Sequence, residues 1–302
     1  MLGAAATARN LGISPLVIGL TVVGIATSLP EVLVGSVAAL QDHIEIAIGN
    51  AIGSNIANVA LVLGTCAALF PVAVASTSIR REYGLMMAAI VLAGVLLYDL
   101  DLSRLDGGIL LLGLLASIAV IVFIARRLGD STDPLIAESD KEYRVAVPQL
   151  RATLYLLLGL VLLLGGAELL VRGAVAIALA FGISDLVIGL TIIAVGTSLP
   201  ELAAAVMSMI KRETDIAIGN IIGSNMFNML AVLGVPAMLQ PGSFNADVIA
   251  RDYPVMIGLS LLMGIMLFLG KRGHIGRPEG LLLLLCFCSY QGWLFLQPAA
   301  GS

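Results

Sequence analysis

The chain has 302 residues, of which 59% are hydrophobic and 12% charged, with a mean hydropathy of +1.05 and a net charge of −4. A soluble domain carries about 25% charged residues, so this composition excludes an ordinary soluble enzyme and a disordered chain. With 16 Lys+Arg against 20 Asp+Glu it also lacks the basic footprint of a nucleic-acid binder.

A membrane-spanning helix needs roughly 20 mostly apolar residues. Taken along the chain, such runs fall at about 12–40, 44–70, 83–100, 105–125, 152–171, 182–210, 216–239, 253–270 and 279–297. They are long and continuous, which selects helices over the short alternating segments of a transmembrane barrel. The expected fold is therefore an all-α, polytopic membrane helix bundle. Pro30 and Pro200 lie inside two of the runs, and Gly-Asn and Gly-Ser-Asn clusters interrupt two more. Segment 126–150 is charged and free of long apolar runs, and reads as a solvated connector between a first unit, 1–125, and a second, 151–302. With the N-terminus inside, 13 of the 16 Lys and Arg residues fall on the cytoplasmic side and 3 (Arg104, Arg172 and Arg251) outside. The positive-inside rule thus makes the connector cytoplasmic and the C-terminus external.

Cys66, Cys286 and Cys288 lie in apolar runs without a CxxC spacing and read as buried small hydrophobes. His43 and His274 read as loop residues with no ligand partner at a suitable spacing. Asp99, Asp101 and Asp106 read as solvated loop charge.

The chain repeats itself at an offset of 170. Leu16 to Thr21 recurs as Leu186 to Thr191, and Thr27-Ser-Leu-Pro-Glu31 as Thr197-Ser-Leu-Pro-Glu201. Ile46 to Asn50 recurs as Ile216 to Asn220, Ile52-Gly-Ser-Asn55 as Ile222 to Asn225, and Asn58 as Asn228. Arg81-Glu82-Tyr83 returns as Arg251-Asp252-Tyr253. Over 12–31 there are 14 identities in 20 positions. One period contains five spans, an odd number, so equivalent helices cross the membrane in opposite directions. Inverted-topology repeats with broken helices at matching positions are the sequence mark of a secondary transporter with its site near the midplane. The apolar run Leu154 to Val171 that opens the second repeat has its counterpart at −16 to 1. The expectation is that the first repeat lacks its leading helix, through a late start or a truncation, and that the full-length protein has ten spans. The alternative is a nine-span protein.

Glu31 and Glu201 stand in uncharged apolar sequence with no cation in either span. A carboxylate at that depth costs several kcal/mol unless it faces partners or water. Two at equivalent positions of an inverted repeat converge and repel, and a bound cation removes that cost. Thr27, Ser28, Thr197 and Ser198 lie three or four residues before each Glu, on the same helical face. Pro30 and Pro200 each remove a backbone N–H and free a carbonyl one turn earlier. Ser54, Asn58, Ser224 and Asn228 add hydroxyl and amide oxygens at i,i+4 spacing. Such an oxygen set suits Ca2+, which takes six to eight hard ligands, and the absence of His and Cys from the motifs argues against zinc or copper. Gly49-xxx-Gly53 and Gly219-xxx-Gly223 also fit close helix packing.

These doubled blocks resemble the alpha-repeats of the sodium/calcium exchanger family of the calcium/cation antiporter superfamily, in particular its bacterial inner-membrane members. The likeness runs from 12 to about 297. It implies a multi-pass inner-membrane antiporter exchanging Ca2+ for Na+ by alternating access, without a cofactor and without a nucleic-acid partner. Glu31 and Glu201 would be the central carboxylates. Ser54, Ser224 and the hydroxyls or carbonyls of Thr27, Ser28, Thr197 and Ser198 would complete the ion sites, with Asn58 and Asn228 alongside. Some members carry Asp where Asn228 stands, so this site has one fewer carboxylate. Proton-coupled relatives usually place an acid soon after the Gly-Asn pair, where this chain has Gly53 and Gly223. Proton-coupled exchange, or exchange of another divalent cation, is the alternative within transport. An intramembrane enzyme finds no HExxH, GxSxG or Ser/His pairing in the spans.

Overall fold

Ser198 stands at a break where one helix stops and another begins, and Ser28 stands at the matching position before the helix that opens at Leu29. The computed structural model describes residues 27–70, 72–73, 78–127, 147–268 and 274–296. The first part of the run at 12–40, the supposed missing helix and most of the connector lie outside the described residues.

Helix α1 is Leu29–Leu40, with Pro30 in its first turn, where a missing N–H costs nothing, and Glu31 at the positive end of the helix dipole. Helix α2 spans Ile44–Leu69. The strand pair β1 (Val72–Ala73) follows, then α3 (Ser78–Leu96), β2 (Asp101–Leu102) and α4 (Arg104–Arg127). Ser103 and Asp106 close the start of α4 reciprocally: the Ser103 N–H donates to Asp106 Oδ2 at 2.9 Å and the Asp106 N–H to Ser103 Oγ at 3.2 Å. Helix α5 is Gln149–Phe181. At 33 residues it rises about 50 Å, beyond the ~30 Å hydrocarbon core, so the run read as 152–171 continues ten residues further. It stops at Gly182, whose φ of +64° is the left-handed C-terminal cap.

Helix α6 covers 185–197 and begins under the Ser184 cap, whose Oγ accepts from the Val187 N–H. After the break at Ser198 comes α7, Leu199–Ile210, repeating α1 with Pro200 and Glu201 in its first turn. Helix α8 is Thr214–Leu239, followed by β3 (Gly242–Ser243), α9 (Val248–Phe268), β4 (His274–Ile275) and α10 (Arg277–Leu296). Among the described residues, seven helices are long and apolar enough to cross a membrane.

One expectation needs correction. The Gly-Asn and Gly-Ser-Asn clusters do not interrupt their helices. Both run on as helix and widen into π-turns just beyond, at Ala57–Leu63 in α2 and Asn228–Val232 in α8. Gly49 and Gly53 serve close packing against 186–194, whereas Gly223 has nothing within 4 Å, and in both copies the backbone stays helical, as it must in lipid. π-bulges of this kind gather at functional sites.

Helices α2 and α8 form the centre, 78% and 89% buried along their apolar windows, whereas α4 and α10 are 17% and 28% buried and turn leucines outward. That peripheral position also explains why Cys288 is exposed on α10 and not buried as its apolar run suggested; Cys66 is buried.

The repeats brace one another crosswise. Strand β1 of the first pairs antiparallel with β4 of the second, and β2 with β3. Tyr83 OH donates to the Ser260 carbonyl at 3.0 Å, and its repeat mate Tyr253 donates to the carbonyl of Ile90, the mate of Ser260. A Cβ at Gly264 would collide with the Tyr83 ring, and one at Gly94 with the Tyr253 ring, so each tyrosine is seated on a glycine of the other repeat. At the start of α9, Arg251 holds the buried Asp252 through two hydrogen bonds of 2.7 and 3.0 Å, and Tyr290 of α10 donates to the same carboxylate at 2.8 Å.

Candidate ion-binding site

The positions of Ser28 and Ser198 put the first turns of α1 and α7 in the middle of the bundle. Neither serine uses its hydroxyl to cap its own helix. Ser28 Oγ instead crosses to the other repeat and donates to Glu201 Oε1 at 3.2 Å. Both Glu31 and Glu201 are fully buried.

A second layer comes from the central helices. Thr197 Oγ1 donates to Asn50 Oδ1 of α2 at 3.1 Å and lies 3.5 Å from Ser54 Oγ. Its repeat mate Thr27 lies 3.4 Å from Asn220 Oδ1 and 3.5 Å from Ser224 Oγ, both on α8. The same three residue types therefore meet twice, and each meeting joins one repeat to the other.

All ten residues expected from the sequence (Thr27, Ser28, Glu31, Ser54, Asn58, Thr197, Ser198, Glu201, Ser224 and Asn228) are buried. The geometry joins eight of them by hydrogen bonds or close polar contacts into crossing sets, with Glu31 attached through its backbone carbonyl, which accepts from Asn50 Nδ2 at 3.0 Å. Asn228 belongs to a neighbouring amide pair, donating from Nδ2 to Asn55 Oδ1 at 3.1 Å, while Asn55 Nδ2 points to the Met256 sulfur at 3.5 Å. Asn58 and Ser198 enter no hydrogen bond through their side chains.

The two halves are not equal. Ser28–Glu201 is bonded, but in its mirror both Glu31 carboxylate oxygens and Ser198 Oγ are buried without partners. Asn55–Asn228 is bonded, but its mirror residues Asn225 and Asn58 have no partner at either amide atom. Buried orphan polar atoms cost about 1–3 kcal/mol each. Their concentration around two carboxylates makes this an oxygen-rich, electronegative centre suited to hard cations.

Sequence reasoning passed over Asn50, Asn55, Asn220 and Asn225 as site residues, although each lies in the motif. An asparagine one turn before Ser54 or Ser224 in a membrane helix was the available signal. His43 Nδ1 lies 2.5 Å from Asp185 Oδ2 across 142 positions of sequence, a contact that spacing alone does not reveal.

A polytopic bundle of inverted repeats, with the first turns of two matching helices presenting carboxylates at its centre, is the architecture of a secondary transporter. The sodium/calcium exchanger protein family matches residues 2–124 and 151–296, and the chain belongs to that family. It is 48% identical to the putative antiporter CaxA of Alkalimonas amylolytica, over 97% of this chain and 92% of that one. It is 41% identical to the inner membrane protein YrbG of Escherichia coli (strain K12), over 95% and 88% of the two chains. The sodium/calcium exchanger MaX1 of Methanosarcina acetivorans is 31% identical over 97% and 92%. Among solved structures, the sodium-calcium exchanger NCX_Mj soaked with 10 mM Na+ and 10 mM Sr2+ superposes with a TM-score of 0.66 at 33% identity, covering 95% of this chain and 90% of that one. The chain is thus a multi-pass membrane antiporter of the exchanger family, a transporter and not an enzyme.

Proposed function

We propose that this protein exchanges Ca2+ for Na+ across a bacterial inner membrane by alternating access. Ions are held by Glu31 and Glu201 within a shell of Thr27, Ser28, Ser54, Asn58, Thr197, Ser198, Ser224 and Asn228. The observation that carries the reading is the crossing of the repeats at two fully buried carboxylates surrounded by hydroxyl and amide oxygens. Two carboxylates balance one Ca2+, or are shared among several Na+. The two ions compete for the same oxygens, so binding one expels the other. The unequal bonding of the two halves supports alternation, since inverted repeats that trade places between two states differ at any one moment. The name of MaX1 supports the sodium/calcium pair, and that of YrbG, with the excess of Lys and Arg on one side, supports the inner membrane.

The test is uptake of radiolabelled Ca2+ into proteoliposomes loaded with Na+, with K+-loaded and pH-gradient controls. Uptake driven only by the outward Na+ gradient is the expected result. Uptake driven by the pH gradient would move the protein to proton-coupled exchange.

A further inference from the structure

Asn50 and Asn220 open the two Gly-Asn-x-x-Gly-Ser-Asn motifs, and the ion shell described above leaves them unused. Asn50 is fully buried, and its Nδ2 donates to the Glu31 carbonyl at 3.0 Å. A carbonyl can only accept, so this contact settles which end of the amide is the NH2, and Oδ1 faces the other way. There it meets Thr197 Oγ1 at 3.1 Å and Ser54 Oγ at 3.4 Å. The carbonyls of Ile193 and Ala194 also lie 3.0 and 3.3 Å from Thr197 Oγ1. Apart from the two hydroxyls themselves, every hydrogen-bonding neighbour of this pair among the described residues is an acceptor. Each hydroxyl has one proton and two lone pairs. With a cation on the carboxylates, the protons are drawn back toward these acceptors and the lone pairs are left for the ion. Asn220 repeats part of the arrangement: its Oδ1 lies 3.4 Å from Thr27 Oγ1, which in turn lies 3.5 Å from Ser224, while its Nδ2 is buried without a partner.

We propose that Asn50 and Asn220 are positioning residues of the cation site. Their amide oxygens collect hydroxyl protons from Thr197, Ser54 and Thr27, and so turn groups that could donate into groups that accept from a cation. The inference rests on the ion site proposed above. The residue type follows from the chemistry. An aspartate would also accept these protons, but its charge would compete for the cation and it could not serve the Glu31 carbonyl. An alanine would leave the Glu31 carbonyl without its donor and Thr197 with only the Ile193 and Ala194 carbonyls, and would free the Ser54 proton to face the ion.

The test is calorimetric Ca2+ binding to the purified full-length chain, read as a double-mutant cycle. Asn50→Ala should weaken Ca2+ binding about tenfold or more. In a Thr197→Val/Ser54→Ala background, where the hydroxyls to be oriented are gone, the same substitution should cost less than about threefold. A purely structural role would lower stability without this coupling. Equal losses in both backgrounds, or unchanged binding by Asn50→Ala where Glu31→Gln abolishes it, would overturn the inference and leave the ion site standing. A wild-type chain without saturable Ca2+ binding would overturn both. Should Asn50→Ala fail to fold, the cycle of Asn220→Ala with Thr27→Val decides, since Asn220 is only half-buried.

Discussion

Gly53→Ala probes how helix packing sets the site. A Cβ at Gly53 would lie 2.7 Å from Ala194 Cβ, 2.8 Å from Leu190 Cα and 2.9 Å from Leu190 O, where ordinary contact begins at 3.4 Å. Two of the three atoms are backbone and the third is an alanine methyl, so no rotamer change relieves the clash. Helices α2 and α6 must part by about 0.7 Å there. Gly53 adjoins Ser54, and Ala194 is one turn from Thr197. The same movement would stretch the Thr197–Asn50 contact from 3.1 Å to about 3.8 Å, past hydrogen-bonding reach. Alanine gains about 1 kcal/mol of helix propensity over glycine. Overpacking costs about 1–3 kcal/mol, and the weakened polar contacts about 1 kcal/mol each, so the loss wins. The expected result is a lower melting temperature in detergent together with weaker Ca2+ binding. Gly258→Ala, at an exposed helix position with nothing within 4 Å, should melt at or slightly above wild type. A Gly53→Ala protein with wild-type melting and Ca2+ affinity would refute the reasoning.

Glu31→Gln and Glu201→Gln should each abolish Ca2+ exchange in proteoliposomes, because one carboxylate cannot balance a divalent ion in a buried site; full transport by either variant would remove the basis of the proposed function. Tyr83→Phe and Tyr253→Phe each delete one cross-repeat hydrogen bond and should cost about 1 kcal/mol in denaturation experiments. Gly264→Ala, which drives a methyl into the Tyr83 ring, should cost more than either. Asp101→Cys with Ser243→Cys, and Val72→Cys with Ile275→Cys, should each form a disulfide in a background free of the native cysteines, since these residues face one another in the two ladders. An impermeant thiol reagent should reach single cysteines at the exposed Asp101 and Ser243 from outside and one at the exposed His274 only from the cytoplasmic side; the same accessibility for both ladders would contradict the inverted topology.

Much of this protein is legible in one dimension. Hydrophobic run length identifies membrane helices because lipid leaves the backbone no partner but itself. The repeat at 170 residues, with an odd number of spans per period, sets the inverted topology by parity alone. Glu31 and Glu201 stand out because an intramembrane carboxylate without a nearby cation has few explanations besides function. The tertiary structure decided what depends on distance between segments far apart in the chain. Gly49 and Gly53 pack α2 against α6 without opening the backbone, and in both copies the irregularity falls one turn after the glycines, as π-turns. The His43–Asp185 contact, the tyrosines seated on glycines of the opposite repeat, and the amides of Asn50 and Asn220 behind the threonines all arise where the two repeats cross. So does the inequality between Ser28–Glu201 and its unbonded mirror. A sequence repeat makes two halves alike, and only their packing against each other makes them differ.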